Sequence, residues 1–563
     1  MSTILNRRDL DFLLYEWLDV ESLTADPRFA DHGRETFDAA LDLAAVLAER
    51  EFAPHNRRND LEEPTFDGTT VTVIPEVGKA LRSFADAGLL SATFPSSVGG
   101  MDLPHVVGRA CFAWFQAANI ATSAYPMLTM GNAALLLRYG SPAQISSYVR
   151  PMLSGRFTGT MCLSEPQAGS SLSDVVCKAA RQDDGTYSIT GSKMWISGGD
   201  HELTETIVHL VLARVVGAPA GVKGLSLFIV PKHDVETGER NNVTLAGLNH
   251  KMGFRGTTNA VLAFDGATGH LVGDEGQGLA QMFHMMNEAR IGVGAGAVAL
   301  GYTGYLHALA YARERRQGRP PAGKDPNAPA VPIVRHPDVR RMLLASKSYV
   351  EGGLALILYA AKLVDQGNDQ LLDVLTPIVK AWPSQWCLRA NDLAIQVHGG
   401  YGYTREYPVE QFYRDNRLNP IHEGTDGIQA LDLLGRKVLL NNGLDVLLSA
   451  IRASCAAESA YSTRLLALCD RLASVTAALW ASGDPGRALA NASTYLDAAG
   501  HIVIAWMWLS QLSAAGDRAG AFYDGKRLAA RYFFDHELPR VGPWLDLLES
   551  GDTLLLDLDD SVL

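Results

Sequence analysis

From the N-terminus to about residue 155 the apolar positions recur at helical spacing. FDAALDLAAVLAEREFAP (37–54) is a clear case and ends at a proline. FPSSVGGMDL (94–103) predicts a Gly/Pro/Ser turn. GRACFAWFQAANIATSAYPMLTMGNAALLLRYG then predicts two apolar helices divided at Pro126. Between 156 and 275 the period changes. Short alternating runs such as TYSITG, IVHLVLARVV, LSLFIVP and TNAVLAF, parted by Gly and Asp turns, predict a compact β domain. Helices resume near 277, where the run to Gln317 is too long and apolar for anything but buried bundle helices. GRPPAGKDPNAPAVP (318–332) predicts an exposed loop. Two helices follow, over 337–366 and 371–398, the second interrupted at Pro377 and Pro383. A last helical block covers 441–563, and no internal repeat is evident.

The pattern is that of a multidomain α+β chain: a helical domain (1–155), a β-barrel or sandwich domain (156–275), a four-helix bundle (276–437) and an added helical domain (441–563). A length of 563 residues accords with several cores. Apolar content of 47% and charged content of 20% are those of a soluble globular protein. A net charge of −13 argues against general affinity for nucleic acid or an anionic membrane. Cys111, Cys162, Cys177, Cys387, Cys455 and Cys469 are scattered, with no C-x-x-C pair. Reduced thiols, a cytoplasmic setting and no metal site are therefore expected. The opening MSTILNRRDLDFLLYEWLDV has charges inside its apolar run and predicts an amphipathic helix, not a signal peptide. No uninterrupted apolar run is long enough to span a bilayer.

Candidate chemistry concentrates in two places. MCLSEPQAGSS (161–171) is a polar, Gly-containing loop able to turn backbone N–H groups toward a ligand. ITGSKMWISGG (189–199) sets Trp195 and Ser197 two apart on an alternating strand, on one face. A ring beside a hydroxyl suits a flat ligand edged with heteroatoms. Far downstream, NPIHEGTDGIQALDLLGR places Glu423 on a tight Gly-containing turn before an amphipathic helix. On composition alone such a Glu is a capping or solvated charge.

Together these segments resemble the acyl-CoA dehydrogenase family over about residues 60–437, and the C-terminal extension is similar to that of its long bacterial branch. The resemblance implies an FAD-dependent oxidoreductase that converts an acyl-CoA to a trans-2-enoyl-CoA and passes electrons to an electron-transfer flavoprotein. It also implies a homodimer or homotetramer, because the family's flavin site spans a subunit interface. By the same resemblance Glu423 is the catalytic base. Leu163, Ser164, Ser170, Trp195 and Ser197 would hold the flavin ring. Arg315 and Gln317, with Gln396 and Gly400 of AIQVHGGYGYTREYP, would hold the FAD diphosphate and adenosine from a neighbouring subunit, and Thr425 would also touch FAD. Ser170, Arg290, His422 and Gly424 would face the substrate. Taken alone, each serine reads as a turn or cap hydroxyl, Arg315 as a solvated charge and Arg290 as half of a buried ion pair.

Three positions depart from the family's pattern. Ser171 stands where an Asp is common, Gly427 where some branches have Gln, and His422 where the motif has Tyr. An imidazole beside the base can tune it or simply fill a Tyr-sized space. An acyl-CoA oxidase and a flavin-bound, nucleic-acid-associated relative are the alternatives. The excess of acidic over basic residues in 441–563 speaks against the second.

Overall fold

The computed structural model describes residues 2–319, 325, 327–455 and 459–563. The chain divides into two compact units, 27–104 with 114–289, and 1–26 with 105–113 and 290–563.

The first unit carries the helices α1 (Arg34–Leu47) and α2 (Pro75–Asp86). The expected division of the next apolar stretch at Pro126 is corrected: the chain breaks at Asn119, between α3 (His105–Ala118) and α4 (Ile120–Tyr139). Asn119 is extended, and its side chain accepts the Thr122 N–H as an N-cap, while Pro126 lies within α4. An interior proline costs about 3 kcal/mol in a bare helix, and the packing of a buried one overrides it. Among the described residues α4 is the one helix long and apolar enough to cross a bilayer, yet most of its apolar stretch is buried in the fold. Asn132 fixes it to the sheet, donating to the carbonyls of Thr160 and Val208.

The alternating runs form a seven-stranded sheet. Its strands are β1 (Phe157–Cys162), β2 (Lys178–Arg181), β3 (Tyr187–Ser197), β4 (Thr206–Val215), β5 (Leu225–Pro231), β6 (Val243–Leu248) and β7 (Asn259–Leu271). β4 pairs in parallel with β1 and then β2 along one edge, and antiparallel with β5 along the other. β2–β3, β3–β7 and β7–β5 are antiparallel, so β4, β2, β3, β7 and β5 close on themselves. The β domain is therefore a barrel, with β1 and β6 as flaps. β4 and β5 are buried on both faces, which is why they read as nearly continuous apolar runs and not as alternating ones.

The second unit is helical. α5 (Gly278–Glu314), α6 (Pro337–Asp365) and α7 (Asp369–His398) are its long members. α7 is also a correction, because it runs unbroken through Pro377 and Pro383. Pro383 leaves the Val379 carbonyl without a helical donor, and Gly294 of α5 packs directly on it. A Cβ at Gly294 would lie 2.1 Å from that oxygen. Then come the short α8 (Asp426–Asp432) and, in the extension, α9 (Ala460–Trp480), α10 (Ala492–Ala515) and α11 (Ala521–Tyr532). The N-terminal segment, helical over Arg7–Trp17 as expected, buries Asp9 against Lys526 of α11, which also reaches Glu351 at 3.0 Å. The loop expected over 318–332 falls partly on 320–324 and 326, outside the described residues. Its ends pair, Gln317 N–H donating to Val331 O and Ile333 N–H to Arg315 O.

Candidate functional site

In the barrel unit, the loop after β1 and the end of β3 meet. Met194 N–H donates to Ser164 O at 3.0 Å. Beneath them Lys193 and Glu165, both buried, form an ion pair at 3.0 Å, and Lys193 Nζ also donates to Leu163 O. Glu165 accepts further from the N–H groups of Val176 and Cys177 and from Gln167. Burial works to raise its pKa, but Lys193 and the two backbone donors outweigh that, so the carboxyl lies below its ordinary range. Sequence reasoning missed both residues. The signal was a charge in the middle of each motif, LSEP and SKMW, where a packed core would otherwise stand.

Trp195 and Ser197 do sit outside the barrel core, but strict alternation does not put them there. The register of β3 on β7 shifts between Lys193 and Ile196, and Trp195 is left-handed at φ 66°. The bulge turns the indole outward, 57% exposed. Ser197 Oγ accepts from Asn259 Nδ2 at 3.2 Å, and Asn259 Oδ1 accepts from Asn249. Ser197 therefore keeps its own proton free to donate. Ser164 is half-buried, and Ser170 and Ser171 are exposed. An outward ring, an oriented hydroxyl donor and a pinned loop make a donor set that fits the edge and face of a flavin.

In the helical unit the chain reverses at His422–Thr425, ahead of α8. Glu423 (φ 54°) and Gly424 (φ 85°) are consecutively left-handed. Gln429 Nε2 bridges both their carbonyls, and Thr425 caps α8 through the Ile428 N–H. The Glu423 carboxylate is half-buried and accepts no hydrogen bond among the described residues, and its backbone N–H is likewise unpartnered. Burial raises its pKa to about 7, against the opposing charges of Arg290 and then Lys380. Arg290 donates to Asp432 at 2.8 Å, the buried ion pair expected of it when read alone. Lys380 was not anticipated. Its signal was a lysine in the apolar heart of α7.

His422 Nε2 lies 3.0 Å from Asn419 Oδ1, so the network assigns it as the donor. Asn419 donates to Asn416, which donates to Asn391 and to the Ala297 carbonyl of α5. Burial, with Lys380 adding to it, lowers the His422 pKa to about 3. The imidazole is neutral near pH 7 and anchors the turn.

Arg315 and Gln317 bond to each other at 3.0 Å on the exposed ladder after α5. Gln396 and Gly400 are exposed at the end of α7, where nothing lies within 4 Å of a Cβ built at Gly399 or Gly400. Next to them Tyr403 is 89% exposed.

Family models for the N-terminal, middle and C-terminal domains of acyl-CoA dehydrogenases match residues 34–156, 160–267 and 276–439. A fourth, acetyl-CoA dehydrogenase C-terminal like, matches 447–559. The chain is 40% identical to the 3-methylmercaptopropionyl-CoA dehydrogenase of Ruegeria pomeroyi, over 97% of this chain and 98% of the relative. It is 34% identical to the broad-specificity linear acyl-CoA dehydrogenase FadE5 of Mycobacterium tuberculosis, over 99% of each. The solved structure of an acyl-CoA dehydrogenase from Bacillus anthracis complexed with FAD shares the fold, with TM-score 0.77, 19% identity, and coverage of 95% of this chain and 90% of that one.

Proposed function

The chain belongs to the acyl-CoA dehydrogenase family, an oxidoreductase acting on acyl-CoA, and from that premise we propose that Glu423 is the base that takes the α-proton of the bound thioester. The observation that carries this reading is the carboxylate itself. It is half-buried, accepts no hydrogen bond among the described residues and is held by burial at a pKa of about 7, matched to a proton that is hard to remove. The backbone N–H of the same residue, without a partner among the described residues, would hold the thioester carbonyl oxygen, where negative charge develops as the α C–H bond breaks. Left-handed geometry lets residue 423 offer both groups from one turn.

The proton moves to Glu423 Oε, and the C–H electron pair forms the Cα=Cβ double bond as a hydride leaves Cβ. FAD, when bound, supplies the hydride acceptor. Trp195 would shield its ring and Ser164 and Ser197 would hydrogen-bond its edge, with Leu163 and Ser170 on the same loop. Thr425 is a further proposed FAD contact. Arg315, Gln317, Gln396 and Gly400, all exposed, support a diphosphate and adenosine site completed by a second copy of the chain. Arg290, His422 and Gly424 would face the substrate, with Ser170. An electron-transfer flavoprotein is the proposed electron acceptor, and a homodimer or homotetramer the working assembly.

Anaerobic flavin bleaching against a panel of acyl-CoAs, linear and 3-methylmercaptopropionyl, tests the reaction and ranks substrates. Glu423→Gln should remain yellow with FAD and fail to bleach. Normal bleaching in that variant would move the base elsewhere.

A further inference from the structure

Both cations that act on Glu423 are held by carboxylates of one short helix. Asp426, the first residue of α8, accepts from Lys380 Nζ at 2.9 Å, and Asp432, the last, accepts from Arg290. The two pairs are not equivalent. Asp432 is shared with Arg436 at 3.4 Å. Lys380 is fully buried on α7, and Asp426 is the single hydrogen-bond partner of its ammonium among the described residues. The remaining N–H groups of the ammonium have no acceptor among those residues, a costly state for a buried cation. Asp426, which grips this ammonium, lies three residues after Glu423 at the start of α8, and Glu423 is the second carboxylate whose charge acts on it.

We propose that Lys380 is a positioning residue for the base, and that Asp426 determines how much of the Lys380 charge reaches Glu423. The proposal rests on the reading of Glu423 as base. Electrostatics agree with the geometry. Burial lowers the Lys380 pKa against the pull of Asp426 and then of Glu423. Burial raises that of Asp426 against Lys380, with Gln385 of α7 and Arg417 also facing it. From the C-terminal extension, Asp497 of α10 repels Asp426. Burial and that repulsion push Asp497 up to about 6. Arg290 and neutral His422 complete the charged and titratable surroundings of the pair. The extension thus puts a carboxylate behind the pair that serves the base.

The two partners should move the base in opposite directions. In the flavin-loaded enzyme, Lys380→Met should shift the ascending limb of kcat/KM against pH alkaline by about one unit, the effect of losing a nearby opposite charge. Asp426→Asn should shift it acid by a few tenths, because Lys380 is released toward Glu423. A purely structural ion pair would lose stability from either side and leave the limb in place. An unshifted limb in Lys380→Met, or shifts of the same sign in both, would overturn the proposal. Lys380→Met/Asp426→Asn guards against unfolding caused by a lone buried carboxylate, and should stay on the alkaline side of wild type. The pH dependence of Tm, read as each protein minus its Glu423→Gln counterpart, reports the same carboxyl without turnover. If Glu423→Gln itself turned over, the base assignment would fall, while that Tm difference would still show whether residue 423 senses Lys380.

Discussion

Glu165 and Glu423 are two carboxylates packed into the protein, the first fully buried and the second half-buried. Glu165 accepts from Lys193, Gln167 and the backbone of Val176 and Cys177, and its pKa lies below the ordinary range. Glu423 accepts from nothing among the described residues, and its pKa rises to about 7. Burial is common to both, so burial alone does not make a base. The difference is the number of donors aimed at the oxygens. A saturated carboxylate is a structural anion that pins its loop. A starved one has a use for a proton.

The strongest break of this comparison is Glu423→Gln. It should cut the anaerobic bleaching rate by roughly 10²–10⁴-fold, the usual worth of a positioned general base, while the fold stays intact. In wild type the ascending limb of kcat/KM should lie near pH 7, where Glu423 ionises. Next comes Glu165→Gln, which leaves the Lys193 ammonium buried and uncompensated. A loss of about 3–5 kcal/mol in denaturant unfolding is expected, together with loss of FAD.

The pH dependence sharpens the contrast, because the two signs differ. The lowered pKa of Glu165 means that its stabilisation is present above the ordinary carboxyl range and lost as pH falls. The raised pKa of Glu423 means that its contribution is lost as pH rises through about 7. The Tm gap between wild type and Glu165→Gln should therefore close in acid. The gap to Glu423→Gln should open in favour of the variant as pH rises from the ordinary carboxyl range to about 7, and stay constant above it. Parallel curves for the two would erase the distinction.

Ser197→Ala removes one oriented donor on the cofactor side and should weaken FAD binding about fivefold, or about 1 kcal/mol, by titration of the apoprotein. The smallest effect is expected of His422→Tyr. The imidazole is already neutral, so the pH–rate profiles should superimpose. A displaced limb would show that residue 422 carries charge to the base after all.

Much of this was legible in the residues. The change from helical to alternating period marked the barrel, and the wording of LSEP, KMWIS and HEGT marked the family. The prolines misled, for a physical reason. Pro126, Pro377 and Pro383 each remove one N–H, and where the lost bond faces a packed neighbour the helix continues. Gly294 against the Val379 carbonyl is such a neighbour, and only the folded partner reveals it. The bulge at Trp195 was hidden because period two assumes an unbroken register, which a single left-handed residue cancels. Lys193, Glu165 and Lys380 escaped notice because a charge becomes informative once its burial and its partner are known.

The left-handed turn at Glu423 also bears on the long-term trade between stability and activity. A side chain in that conformation costs about 1–2 kcal/mol that glycine would not, and the desolvated carboxylate adds to the burden above neutral pH. Mutations that relax the fold at residue 423 are thus expected to be easy to find in a screen for heat resistance. The substitution most comfortable for the backbone there, Glu423→Gly, would yield a hardier protein with no base. A stability screen run without an activity counter-screen would select against the enzyme's own purpose at this one position.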